Sequence, residues 1–83
     1  LNYKYLAKIT DPVSREYCVI AAYNGGAGSV LKTFSRDRDR APEKINRMHP
    51  GDVYRTLVAD LPARETRRYV QKVVSAKKEF VKL

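Results

Sequence analysis

The sequence predicts an all-α fold of five or six helices, the longest at the C-terminus. Three observations carry that expectation. Apolar residues recur at helical spacing along nearly the whole chain, and no apolar–polar alternation lasts long enough for a strand. Proline, glycine and aspartate fall between the periodic stretches, where helices start and stop. Residues 63–80 hold an unbroken helical period.

Taken in order, residues 1–9 read as a first amphipathic helix, ended by Thr10-Asp11-Pro12. Asp11 then caps the second helix, with Pro12 in its first turn. Val13, Tyr17, Ile20, Ala21 and Asn24 share one side of that helix, and Gly25-Gly26 supplies the backbone freedom to end it. A short helix over residues 27–35 is expected to bury Val30, Leu31 and Phe34. Arg36-Asp37-Arg38-Asp39-Arg40 alternates in sign without an apolar residue, which predicts a solvated loop. Pro42 opens a helix through Met48, and His49-Pro50-Gly51 ends it. Asp52 caps a helix through Ala59, and Leu61-Pro62 marks the next boundary. The last helix presents Tyr69, Val70, Val73, Val74, Phe80 and Val81 on its apolar face.

Size and charge narrow the function classes. A chain of 83 residues fits one small domain, and a chain that short buries only about 60% of its unfolded surface. No apolar run approaches the length of a membrane-spanning helix, and no signal-peptide pattern opens the chain. The start lacks both an N-cap and an initiator Met, so the chain reads as a fragment. A net charge of +8 favours an anionic partner: nucleic acid, an acidic membrane or an acidic polymer. Cys18, the only cysteine, lies in an apolar helical setting and reads as a buried structural thiol. His49 has no companion ligands, so no metal site is expected.

Two stretches remain unexplained by packing alone. Ala21-Ala22-Tyr23-Asn24-Gly25-Gly26-Ala27-Gly28-Ser29 is glycine-rich but follows a helix, and it lacks both the third glycine of a dinucleotide site and a Gly-Lys-Ser/Thr phosphate loop. Tyr23 and Asn24 suit carbohydrate better. A tyrosine face covers a sugar's C–H surface, and an Asn amide both donates and accepts. A helix cap would account for the same residues. The second stretch, Glu65-Thr66-Arg67-Arg68-Tyr69-Val70-Gln71-Lys72-Val73, places Glu65 and Tyr69 on one helix face, with Glu65 where the helix dipole stabilises its charge.

Together, Ala22-Tyr23-Asn24-Gly25-Gly26 and the later Glu65-to-Val73 stretch resemble the last two motifs of the lytic transglycosylases with a soluble-lytic-transglycosylase-type domain. The likeness extends through residues 11–34 and Pro50-Gly51-Asp52-Val53-Tyr54 and covers almost the whole chain. It implies the C-terminal half of a lysozyme-like α domain that cleaves peptidoglycan between N-acetylmuramic acid and N-acetylglucosamine. A single glutamate would protonate the glycosidic oxygen and then act as base while the muramyl C6 hydroxyl closes a 1,6-anhydro ring. Tyr23, Asn24 and Gly25 would meet substrate, Glu65 would contact it or order the site, and Tyr69 would support the acid. The resemblance implies no cofactor and no metal, peptidoglycan glycan strands and the missing N-terminal half of the domain as partners, and no nucleic acid. It also implies a periplasmic location, with room for an outer-membrane anchor upstream, and exposed core surface available for self-association.

The departure from the family is large, because its Glu-Ser and Gly-Leu-Met-Gln motifs do not occur in this sequence. Glu16, Glu43 and Glu65 fall in or near first turns of helices, and Glu79 follows Lys77 and Lys78, so each is placed to stay charged. None reads as a general acid, which needs an apolar, unpaired setting. Other readings are a small basic helical nucleic-acid-binding module and a non-catalytic peptidoglycan-binding remnant. Against the first, the basic residues spread over several helices rather than one recognition helix.

Overall fold

In the computed structural model, which describes residues 4–81 and the side chains of residues 4–77, Asp11 starts the first α-helix. Its Oδ2 accepts a hydrogen bond from the Ser14 backbone N–H at 2.8 Å, and Pro12 occupies the first turn, where its missing N–H costs nothing. Helix α1 is Pro12–Gly25, α2 Ala27–Phe34, α3 Ala41–Asn46, α4 Pro50–Asp60 and α5 Arg64–Val81. All are α-helices, and α5 is the longest, as the sequence predicts.

Two expectations need correction. The helix expected over residues 1–9 is, within the described residues, a 3-10 turn at Leu6–Lys8, and residues 1–3 lie outside them. Leu6 and Ile9 are both buried, three residues apart, which suits a three-residue turn. Asp11, preceding Pro12, is extended (ψ 122°), as a residue before proline prefers. Secondly, His49-Pro50-Gly51 begins α4 rather than ending α3: His49 is the N-cap, Pro50 the first helical residue, and Asp52 sits within the first turn. On α1 the buried residues are Ser14, Cys18, Ala21 and Ala22, while Val13 is 44% exposed and Asn24 is exposed.

The small buried residues of α1 explain the architecture. Helix α1 packs against α2, α4 and α5 at once, and its core-facing residues are small. Small side chains let three neighbours approach one axis, around which the larger Leu31, Phe34, Ile45, Leu57, Leu61 and Val70 fill the core. Tyr17 and Ile20 are half-buried, and Tyr17 tilts against Tyr54 of α4 with ring centroids 5.4 Å apart. Val30, Leu31 and Phe34 are buried as expected. On α5, Val70 and Val74 are buried and Tyr69 and Val73 half-buried, while the expected Phe80 and Val81 lie outside the described side chains.

The segment Arg36–Arg40 is exposed throughout, as a solvated loop should be. Within it Asp37 pairs with Arg40, and the nearby Asp39 carboxylate raises the Tyr5 phenol pKa, first through hydrogen bonding and then through its charge.

Cys18 is fully buried, and burial alone pushes its thiol up to about 12. A free thiol lies near 8.5, so stability from this group is full below about pH 8.5 and declines as pH rises toward 12. Native protein at pH 8 should leave Cys18 unlabelled by a thiol reagent, with prompt labelling once denaturant is added. Stoichiometric labelling of the native state would show an accessible thiol.

Between α1 and α2 the chain turns at Gly26, with φ 87° and ψ 145°, and its N–H reaches the Ala22 carbonyl at 2.8 Å. This backbone region is essentially restricted to glycine. Gly26→Ala should therefore destabilise the fold by about 1–3 kcal/mol in a denaturant melt. Gly28 is helical with open space around its Cβ position, so Gly28→Ala should be neutral or stabilising by a few tenths of a kcal/mol to about 1 kcal/mol. Equal effects from the two substitutions would remove the backbone argument.

Candidate functional site where α1 meets α5

Helices α1 and α5 run antiparallel, tied at both ends. Near one end Lys77 pairs with Glu16, and at the other Thr66 meets Asn24. Glu16 thus lies beyond the first turn of α1 and has a cationic partner, whereas Glu43 and Glu65 do occupy first turns. The second tie brings together two stretches that are 42 residues apart in sequence.

At this tie the geometry is tight. The Thr66 hydroxyl donates to Asn24 Oδ1 at 2.8 Å, and Thr66 is only 3% exposed. Gly25 makes the approach feasible: a Cβ there would lie 2.8 Å from Thr66 Oγ1 and 2.9 Å from Thr66 Cγ2. The missing side chain is what lets the first turn of α5 seat against the last turn of α1. Gly25 therefore serves close helix packing, while the left-handed turn belongs to Gly26 alone.

Beside this tie, Gly25, Ser29, Leu61, Pro62, Ala63 and Thr66 line a hollow of about 20 Å³, room for one water-sized group. A pyranose ring does not fit it. The turn that leads into α5 is held by Arg67, whose guanidinium donates to the Leu61 carbonyl and, at 3.4 Å, to the Pro62 carbonyl. That fixes where α5 begins, and with it the positions of Glu65, Thr66 and Tyr69.

The surrounding side chains face outward. Tyr23 is 71% exposed, the most exposed large hydrophobic residue among those described. Asn24 is exposed while its Oδ1 is held inward by Thr66, which leaves the amide N–H₂ available to solvent. Glu65 is exposed and Tyr69 half-buried one turn later on α5. Among the described residues no hydrogen bond joins Tyr23, Glu65 and Tyr69, so the geometry directly links only Asn24 and Gly25 to the α5 stretch, through Thr66. Thr66 is the residue that sequence reasoning left without a role. A usable signal was present in Gly25, whose lack of a side chain implied a close neighbour.

Comparison with known proteins places these observations. The family model described as "Transglycosylase SLT domain" matches residues 2–46, over half of the chain. Its match ends before α4 and α5, so it includes Tyr23, Asn24 and Gly25 but not Glu65 or Tyr69. The chain is 59% identical over 80 residues to membrane-bound lytic murein transglycosylase C of Pectobacterium atrosepticum. It is 56% identical to the protein so named in Cronobacter sakazakii and 55% to that of Salmonella typhimurium. These alignments take in 96% of this chain, which spans 22% of the length of these relatives.

Proposed function

Because the chain belongs to the transglycosylase SLT domain family, we propose that it forms the C-terminal, cleft-lining part of a peptidoglycan lytic transglycosylase domain. The activity in this reading is cleavage between N-acetylmuramic acid and N-acetylglucosamine with formation of 1,6-anhydromuramic acid. The observation that carries it is the Asn24–Thr66 tie, which sets the two family-like motif stretches side by side at one end of the α1–α5 pair. Exposed Tyr23 offers an aromatic face for a sugar, and Asn24 offers amide hydrogens to an acetamido carbonyl or a hydroxyl. Glu65 and Tyr69 stand on the neighbouring helix, where Glu65 reaches substrate or orders the site and the Tyr69 hydroxyl supports the acid.

The general-acid glutamate comes from outside these residues in this reading, together with the other wall of the cleft. The relatives are named membrane-bound, and the proposed setting is the cell envelope, on the periplasmic side, with any outer-membrane anchor supplied elsewhere. Among the described residues no helix is long and apolar enough to cross a membrane.

The test uses a complete domain, made by joining this segment to the upstream half of a relative's domain. Incubated with purified peptidoglycan sacculi, it should release 1,6-anhydromuropeptides identifiable by mass. Reducing-end products without anhydro sugars would indicate hydrolysis by water instead. A complete, folded domain that releases neither product would refute the proposed activity.

A further inference from the structure

We infer that Thr66 is a positioning residue that sets which way round the Asn24 amide faces the glycan, an inference resting on the transglycosylase reading above. An Asn side chain has two nearly isosteric orientations, one presenting its carbonyl and the other its N–H₂. What distinguishes them is the hydrogen bonding behind the group. Here the Thr66 hydroxyl, buried and 2.8 Å away, donates to Oδ1 and turns the carbonyl inward. The outward face then carries donors only. It matches an acceptor on the sugar, such as an acetamido carbonyl or a hydroxyl oxygen, and is mismatched to a donor.

The packing makes this arrangement firm. Thr66 is confined by the Gly25 backbone, against which even an added methyl would collide. The first turn of α5 carries Thr66, and the Arg67 side chain fastens that turn to the carbonyls of Leu61 and Pro62. Asn24 stands at the last full turn of α1, before Gly26 redirects the chain. The hydroxyl therefore approaches Asn24 from a fixed direction.

Thr66→Val keeps the shape beside Gly25 and removes only the donor. Thr66→Ser keeps the donor and removes a methyl. In the complete domain, measured on a soluble glycan strand, Thr66→Val should lower kcat/KM by about 3–10-fold, as loss of one oriented hydrogen bond implies. Most of the loss should appear in KM, and Thr66→Ser should stay within about twofold of the wild type. In an Asn24→Ala background, Thr66→Val should cause no further loss, because a positioning residue acts only through the group it positions. Asn24→Asp should be worse than Asn24→Ala, since it presents an acceptor where the glycan also presents one.

Three results would overturn the inference: Thr66→Val indistinguishable from wild type, a Thr66→Val loss that persists undiminished beside Asn24→Ala, or a Thr66→Ser loss equal to that of Thr66→Val. If Thr66→Val proves unfolded by circular dichroism, the Thr66→Ser and Asn24→Asp comparisons still decide. A wild-type complete domain without anhydro-product release would sink the activity reading instead, and that outcome is separate from any result with Thr66.

Discussion

Peptidoglycan digested with the 83-residue chain alone should yield no 1,6-anhydromuropeptide above a blank, even where the complete domain, on the reading proposed above, is expected to release it. The argument is chemical. Protonating a glycosidic oxygen near neutral pH needs a carboxyl group that holds its proton there, which requires an apolar, unpaired environment. Among the described residues no carboxylate is buried. Only Asp11 is even half-buried, and its oxygen is engaged as the N-cap of α1. Glu16 pairs with Lys77, Asp52 with Arg55 and Asp37 with Arg40. Glu43 and Glu65 are exposed to water in the first turns of their helices. General acid–base catalysis contributes about 10²–10⁴-fold where a positioned group supplies it, so its loss takes product below detection over hours of digestion. Mass spectrometry of the soluble fraction provides the measurement. Anhydro products that persist through repurification, and vanish with Glu65→Gln, would assign the acid to this chain after all.

Much of the fold was legible in the sequence because its boundaries are set locally. Asp11-Pro12, Gly25-Gly26 and Leu61-Pro62 each act through a backbone restriction or a cap that needs no tertiary partner, and α1, α2, α4 and α5 begin or end there. The misreadings came where local signals were two-sided or tertiary packing ruled. Proline favours the first turn of a helix as strongly as it opposes an interior position, so His49-Pro50-Gly51 served equally as an end or a beginning. On α1, helical spacing groups residues by side without saying which side is buried, and a helix surrounded by α2, α4 and α5 turns Ser14, Ala21 and Ala22 inward. Ser14 carries the consequence: its Oγ is buried without a hydrogen-bond partner among the described residues, tolerated for its small size. Among the described residues before Asp11, apolar spacing that suggested a helix instead serves a 3-10 turn burying Leu6, with Ile9 just beyond it.

The candidate site was legible as chemistry and not as geometry. Tyr23, Asn24, Glu65 and Tyr69 stand out by residue type, and Tyr23 is 71% exposed. The link between the stretches depends on a buried threonine, a polar residue that periodicity assigns to neither core nor surface. Its burial follows from the absent side chain at Gly25 on another helix, information that no window along α5 contains.

Tyr69→Phe in the complete domain should lower turnover by about 10–1,000-fold, by analogy with removing one positioned hydrogen-bond donor from a catalytic site. The substitution takes away a single hydroxyl and leaves the ring. Tyr69 lies one turn into α5, whose start is fixed by Arg67 and by the Thr66–Asn24 tie, and its ring is half-buried. The ring is therefore held by packing that Phe preserves, so the melting temperature should change little. A hydroxyl that orients the acid or the leaving oxygen acts in the transition state, which predicts a fall in kcat with KM nearly constant. Thr66→Val is expected to show the reverse split, and the contrast separates an oriented substrate contact from support of the chemical step. Lys77→Ala is the control on the same helix. It removes an ion pair whose partners are 55% and 48% exposed, an interaction too solvated to matter much. It also loosens the far end of the α1–α5 pair, so any general sensitivity of turnover to α5 would show there. Unchanged anhydromuropeptide release by Tyr69→Phe, with Lys77→Ala equally silent, would make Tyr69 part of the scaffold and leave support of the acid to residues outside this segment.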